Sequence, residues 1–168
     1  MVRAARTGDA GELGRVHVAA WQRAYRGVFP DDFLDGLDPE ARADWFRRAI
    51  DAGSGILVAE EGGRVAGFCI VGASDIEGWA EVFAIYVDPV LWGRGHGAAL
   101  LRGAERLLAG SGHERVLLWV VDSNRGARAF YENMGWTLGR PVRLEEIGGV
   151  QVTLVRYEKL LQEPYVPA

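Results

Sequence analysis

The chain has 168 residues, a mass of 18.4 kDa, 49% hydrophobic and 25% charged residues, and a formal net charge of −4. That length suits one domain with a sizeable core, and the composition excludes wholesale disorder. The acidic balance argues against a non-specific nucleic-acid binder, which needs surplus cations. Val116–Val121 is an apolar run of six residues, far short of the roughly 20 of a membrane-spanning helix. Met1–Asp9 holds no apolar stretch of signal-peptide length, so a single cytoplasmic domain over residues 1–168 with no membrane partner is expected. Cys69 stands alone, which rules out an intrachain disulfide framework and a cysteine-cluster metal site. The basic residues are 18 arginines and one lysine, Lys159.

In chain order, Val2–Arg6 reads as a short strand. Asp9 is placed to cap a helix carrying Leu13, Val16, His17, Ala20, Trp21 and Ala24 at spacings of three and four. Pro30 interrupts, and Asp31–Leu37 forms a short helical piece. Pro39 sits at the first turn of a helix over Asp38–Ala52, with Ala41, Trp45, Phe46 and Ala49 on one face. Gly53 and Gly55 stop it, and the period becomes that of strands. Ile56–Glu60 and Arg64–Val71 flank the hairpin signature Glu61-Gly62-Gly63, and Trp79–Val87 is the next strand. A glycine-dense turn leads to a helix over Gly97–Ala109 with Leu100, Leu101, Ala104, Leu107 and Leu108 as its apolar stripe. Arg115–Val121 is apolar on both faces, hence a central strand. Asn124 caps a helix that runs to Met134 and closes at Gly135, and two strands follow from Trp136 to the Lys159 region, parted near Gly148-Gly149. Gln162–Ala168 is expected to trail on the surface. The order β-α-α-β-β-β-α-β-α-β-β has an antiparallel first half and one βαβ crossover at 79–121 that supplies a parallel pair.

The densest chemical signal is Val87-Asp88-Pro89-Val90-Leu91-Trp92-Gly93-Arg94-Gly95-His96-Gly97-Ala98. Glycines between a strand and a helix let the backbone approach a bulky anion, while the unpaired N–H groups and dipole of the helix start attract it. A pyrophosphate is the natural guest; a glycine-rich turn with no ligand is the bland alternative. Gly93, Gly95 and Ala98 also satisfy a loose dinucleotide-binding pattern, with Asp122 as its ribose-binding acid. That reading ranks lower, because the residues Asp88–Trp92 separate strand from glycines and the preceding strands look antiparallel. His17, His96 and His113 are scattered, and no metal is expected.

These residues resemble the GNAT family of N-acetyltransferases. The family's acyl-CoA motif, (Q/R)-x-x-G-x-(G/A) after a strand ending Y-V-x-P, is similar to Tyr86-Val87-Asp88-Pro89 followed by Trp92-Gly93-Arg94-Gly95-His96-Gly97. Its N-x-x-A-x-x-F-Y-E-x-x-G-F segment is similar to Asn124–Trp136. Trp92 departs from the family's Gln or Arg, with Arg94 a candidate substitute. The resemblance implies an α+β fold: a central mixed, mostly antiparallel sheet of about seven strands, one parallel βαβ crossover, and helices on both faces. It implies an acetyl-CoA-dependent N-acetyltransferase acting on a small-molecule or peptide amine, with a homodimer as the assembly its final strands suggest. A non-catalytic acyl-CoA sensor of the same fold is the rival reading.

Carried over residue by residue, Gly93, Arg94, Gly95, His96 and Gly97 would cradle the CoA pyrophosphate. Ile85 and Val87 would offer backbone groups to the pantetheine arm, which Asn124 would also hydrogen-bond. Tyr131, otherwise a core tyrosine of an apolar helix face, would meet the CoA sulfur and assist the leaving thiolate. Glu81 lies eleven residues before Trp92, the offset of the catalytic glutamate in the histone-acetylating branch. In a strand this apolar a carboxylate is costly, and burial would raise its pKa toward that of a useful base; a structural Glu–Arg pair is the alternative. Its side chain is expected on the face of Phe83, Ile85 and Val87, and Glu77 and Asp122 are weaker candidates. On the acceptor side, Trp21, Tyr25, Phe29 and Phe33 interleave with Asp31, Asp32 and Asp35, while Glu145 and Glu146 lie near the last loop. Aromatic faces with nearby acids suggest a cationic acceptor.

Overall fold

A computed structural model of the chain describes residues 1–161; the surface tail expected over Gln162–Ala168 lies outside the described residues. The elements in order are β1 (Val2–Ala4), α1 (Ala10–Tyr25), α2 (Asp31–Asp35), α3 (Pro39–Asp51), β2 (Gly55–Glu61), β3 (Arg64–Ala73), β4 (Ala80–Val87), α4 (His96–Gly110), β5 (Arg115–Val121), α5 (Arg125–Asn133), β6 (Thr137–Ile147) and β7 (Val150–Leu160). They form one seven-stranded sheet in the order β1-β2-β3-β4-β5-β7-β6. Every neighbouring pair is antiparallel except β4 with β5, the pair that the α4 crossover makes parallel.

Helices cover both faces. On one, Leu100, Leu101, Ala104 and Leu108 of α4 and Tyr131 of α5 pack against Cys69, Val82, Val116 and Leu118. On the other, Leu13 and Val16 of α1 and Phe46 of α3 pack on Ile56, Val58 and Phe68. Gly14 is required at the α1–α3 crossing: a Cβ there would stand 2.2 Å from the Pro39 carbonyl oxygen. A third cluster joins Tyr25, Phe29 and Leu34 to Val121, Val152 and Leu154.

Three sequence expectations need correction. Asp9 does not cap α1: it is already helical, and its carboxylate accepts from the Arg6 N–H at 2.7 Å and binds Arg3. The buried face of α3 runs through Ala43 and Phe46, whereas Ala41 and Trp45 are exposed. Leu107 of α4 is likewise exposed, leaving Leu100, Leu101, Ala104 and Leu108 as the stripe. Asp38 caps α3 through the Glu40 N–H at 2.9 Å, and Asn124 caps α5 through the Ala127 N–H at 3.1 Å.

Lys159 on β7 ties three elements together. Its ammonium donates to both Glu105 carboxylate oxygens of α4, at 2.9 and 3.0 Å, and to the Met134 carbonyl beyond α5 at 2.9 Å.

Candidate active site

The site begins with a fault in the sheet. β4 and β5 pair only at Ala80–Val116 and Glu81–Leu117, after which the two strands part. The cause lies on the other side of β4. Ile70 faces Ala84 and Val71 faces Val82, so Phe83 is an extra residue with no β3 partner. Such a bulge bends its strand and increases its twist. It also switches the faces. Ile85 and Val87 join Ala80 and Val82 against α4 and α5, while Ala84 and Tyr86 turn to α1 and α3. Glu81 therefore shares a face with Phe83 but not with Ile85 and Val87, contrary to simple alternation. The parted strands bound a cleft of about 890 Å³ that reaches both faces of the sheet, touching Asn124, Phe130 and Tyr131 on one side and Trp21, Tyr25 and Trp119 on the other.

At one end the cleft meets the glycine turn. The turn is anchored by Asp88, whose carboxylate takes the Val90 N–H at 3.2 Å and an Arg15 N–H at 2.6 Å. Gly93 and Gly95 have φ of +78° and +84°, and a Cβ on either would meet nothing within 4 Å. Gly95 opens α4 without a side-chain cap, so the first-turn N–H groups of His96, Gly97 and Ala98 have no helical acceptor and border the cleft. Open space before bare amides at a helix start is the setting an anion needs. Trp92 donates its indole N–H to the Val87 carbonyl at 2.9 Å, and the Arg23 guanidinium stands 5.9 Å from its ring centre. Trp92 thus fixes the turn against β4. Arg94 does not replace it at the cleft, because its guanidinium pairs with Glu61 at 2.6 Å. The His96 ring also meets Glu61, and these two hydrogen bonds hold that carboxyl below the usual range.

The structure brings Ile85, Val87, Trp92, Gly93, Gly95, His96, Gly97, Asn124 and Tyr131 to this one cleft. Tyr131 is buried among Phe130, Trp136 and Tyr157, and burial pushes its phenol up. Glu81 sits at the last paired position before the strands part, 8% exposed, and accepts from the Ser74 hydroxyl at 2.8 Å. Burial raises its pKa, with Ser74 and Arg143 pulling the other way. Among the described residues no Arg pairs with it, and Glu81 is not part of the cleft wall. Glu77 and Asp122 are exposed and outside the cleft, Asp122 paired with Arg128. Among the described residues no group of three or more His, Cys, Asp and Glu side chains could hold a metal, and no helix is long and apolar enough to cross a membrane.

Sequence reasoning missed Tyr86 and Trp119. Tyr86 hides in an apolar strand that reads as core, yet the bulge turns it into the cleft beside Tyr25. Trp119 borders the cleft with its indole N–H unpartnered. The supposed acidic acceptor wall is different. Asp31 and Asp35 are bound to Arg26 at 3.0 and 2.8 Å, Glu145 faces Arg143 at 3.4 Å, and none of the acids borders the cleft. Trp21 stacks on Phe29 and meets Tyr25 and Phe33 at an angle, forming the aromatic end of the third core cluster.

Comparison with known proteins places this geometry. The model of the acetyltransferase (GNAT) family matches residues 18–136. An uncharacterized N-acetyltransferase of Bacillus subtilis, YuaI, is 36% identical over 129 residues, 73% of this chain and 72% of that protein. A mycothiol acetyltransferase of Clavibacter sepedonicus is 39% identical over 95 residues, 56% of this chain but only 29% of its own length. Among solved structures, the PaiA N-acetyltransferase of Thermoplasma acidophilum in complex with coenzyme A superposes with a TM-score of 0.73 at 19% identity, covering 95% of this chain and 98% of that one.

Proposed function

Because the chain belongs to the acetyltransferase (GNAT) family, we propose that its cleft binds acetyl-CoA and passes the acetyl group to a primary amine in a ternary complex. The observation that carries this reading is the parting of β4 from β5 beside an uncapped, glycine-opened helix. The amides of His96, Gly97 and Ala98 suit a pyrophosphate, and the gap-facing backbone of Ile85 with the N–H of Val87, whose carbonyl takes the Trp92 indole, suits a pantetheine arm. Asn124 spends its side-chain oxygen as a helix cap and has two amide N–H groups to divide between the neighbouring Tyr25 hydroxyl and the same arm.

When bound, acetyl-CoA supplies an activated thioester. Everything else falls to the protein and the amine. The acceptor approaches from the α1 face, the face of Glu81. An alkylammonium titrates near 10.4, so it must shed a proton to become a nucleophile near neutral pH. Glu81, with its raised pKa, takes that proton through water, since it does not touch the cleft directly. The amine nitrogen bonds to the acetyl carbon, and the carbon–sulfur bond breaks with its electron pair on sulfur. Gap-facing N–H groups of β4 beyond Glu81 offer the oxyanion its donors, and Tyr131 donates to the departing thiolate. Of the two protons the ammonium sheds, one ends on sulfur and one in solvent. Titration with acetyl-CoA by calorimetry, followed by thiol release over a panel of amines, tests the reading. A folded protein that binds no acetyl-CoA would refute it.

A further inference from the structure

We propose that a second cavity, lying between α1, α3 and the β3–β4 strands, is the acceptor site, and that it selects amines carrying an apolar or aromatic body and a carboxylate, which Arg42 anchors. The proposal deepens the acetyltransferase reading above and rests on it. The cavity holds about 700 Å³ and shares Trp21, Phe83, Ala84 and Tyr86 with the donor cleft, so the two spaces meet at the bulge. Phe83 is 51% exposed there, an apolar ring at the junction on the same face as Glu81. The remaining wall is largely apolar, with Trp45, Phe46 and Ile70.

Charge decides the class of guest. Among the described residues Arg42 is the one permanently charged side chain bordering the cavity, and no acid borders it. Among the described residues Arg42 has no carboxylate within 4 Å, whereas Arg15 has one and Arg3, Arg26 and Arg47 have two each. Arg42 comes from α3, which is not part of the wall shared with the donor cleft, so a carboxylate held there leaves the amine directed toward β4. One further polar atom of this wall, Nδ1 of the nine-tenths buried His17, lacks a partner among the described residues. Burial first, and the Arg42 charge second, push the His17 pKa down to about 4, so Arg42 is the sole cation near neutral pH. A dication finds no counter-charge here. An amino acid with an apolar side chain, or a longer amino carboxylate, finds one.

The test uses two matched pairs: phenylalanine with phenylalaninamide, and p-aminomethylbenzoate with its carboxamide. In at least one pair the carboxylate should be acetylated with kcat/KM about tenfold or more above the carboxamide, as expected for a charge-assisted contact. Arg42→Met should erase that preference through the acceptor KM while leaving the KM for acetyl-CoA unchanged. Arg42→Lys, which keeps the charge on the same helix, should retain part of it and guards against a folding defect. Calorimetry with the same carboxylates separates the two layers of the argument. Arg42-dependent binding without any acetyl transfer would keep the site and overturn the acetyltransferase reading. Acetylation of carboxylate and carboxamide at equal rates, indifferent to Arg42, would keep that reading and overturn the site. Arg42-independent binding, or none with either pair, also overturns it.

Discussion

Tyr131 illustrates how a side-chain environment narrows a mechanism. Burial lifts its phenol above the usual value of 10.0, whereas a free thiol titrates near 8.5. The raised phenol makes full proton transfer to a departing thiolate harder, so its role is a hydrogen bond that strengthens as charge builds on sulfur. Tyr131→Phe should lower kcat by about 10²–10³-fold and leave acetyl-CoA affinity within a few-fold; a wild-type kcat in single-turnover measurements would remove Tyr131 from the chemistry. Glu81 adds a signature in stability. Its folded carboxyl titrates above the unfolded value of 4.5, so its favourable contribution is complete below that value and is lost as pH rises through the folded pKa. Glu81→Gln should therefore melt above wild type near neutral pH, with the gap closing near pH ~4, while amine acetylation slows. A variant that is both less stable and fully active would mark Glu81 as structural. The reverse holds for His17, depressed from 6.5 to about 4. Its contribution is present above 6.5 and is lost as pH falls toward 4, by ~3 kcal/mol in all. Denaturant melts across that window should show a slope that His17→Gln flattens.

At the scale of elements, the turn before α4 and the bulge in β4 make a contrast. The turn was legible in the sequence because positive φ at Gly93 and Gly95 demands glycine, and the residues advertise it. Gly95→Val should cost about 1–2 kcal/mol of stability through its backbone and also place a branched side chain where the anion must come. Gly53→Val is the control: φ there is +78° with open space around it, and the residue is not part of the cleft wall. Calorimetry should show acetyl-CoA affinity lost in the first variant and kept in the second, and equal affinities would move the pyrophosphate elsewhere. The bulge, by contrast, could not be read from Trp79–Val87. Nothing in that apolar run tells Phe83 from its neighbours, because the extra residue exists only relative to the register of β3. Every side-chain direction inferred downstream of it was accordingly inverted relative to Glu81. The same limit explains α3, where two apolar faces compete in sequence and the approach of α1 through Gly14 selects the one with Ala43 and Phe46.

For the whole molecule, the parted strands mean that β1–β4 and β5–β7 are joined across the sheet by two residue pairs, with α4 and the core as the remaining bridge. A ligand lying in the gap binds only the assembled state, so saturating acetyl-CoA at about 100 times its Kd should add ~3 kcal/mol and raise Tm by roughly 5–10 °C. Hydrogen exchange should slow most at residues 82–87; protection confined to the α4 turn would mean that the arm does not lie along β4. Element order and the parallel crossover were readable from period changes and glycines, since those are local. The second cavity was not, because it joins α1, α3, β3 and β4, and Arg42 in sequence is one of 18 arginines. That arginine bias has its own chemical meaning. Acyl thioesters modify unprotonated amines, and guanidinium is not one. The chain has a single lysine, whose three N–H donors are all taken by Glu105 and Met134. To be acylated, Lys159 must break those bonds and lose its proton, so a surface that handles an activated acetyl group offers almost no side-chain amine of its own to divert it.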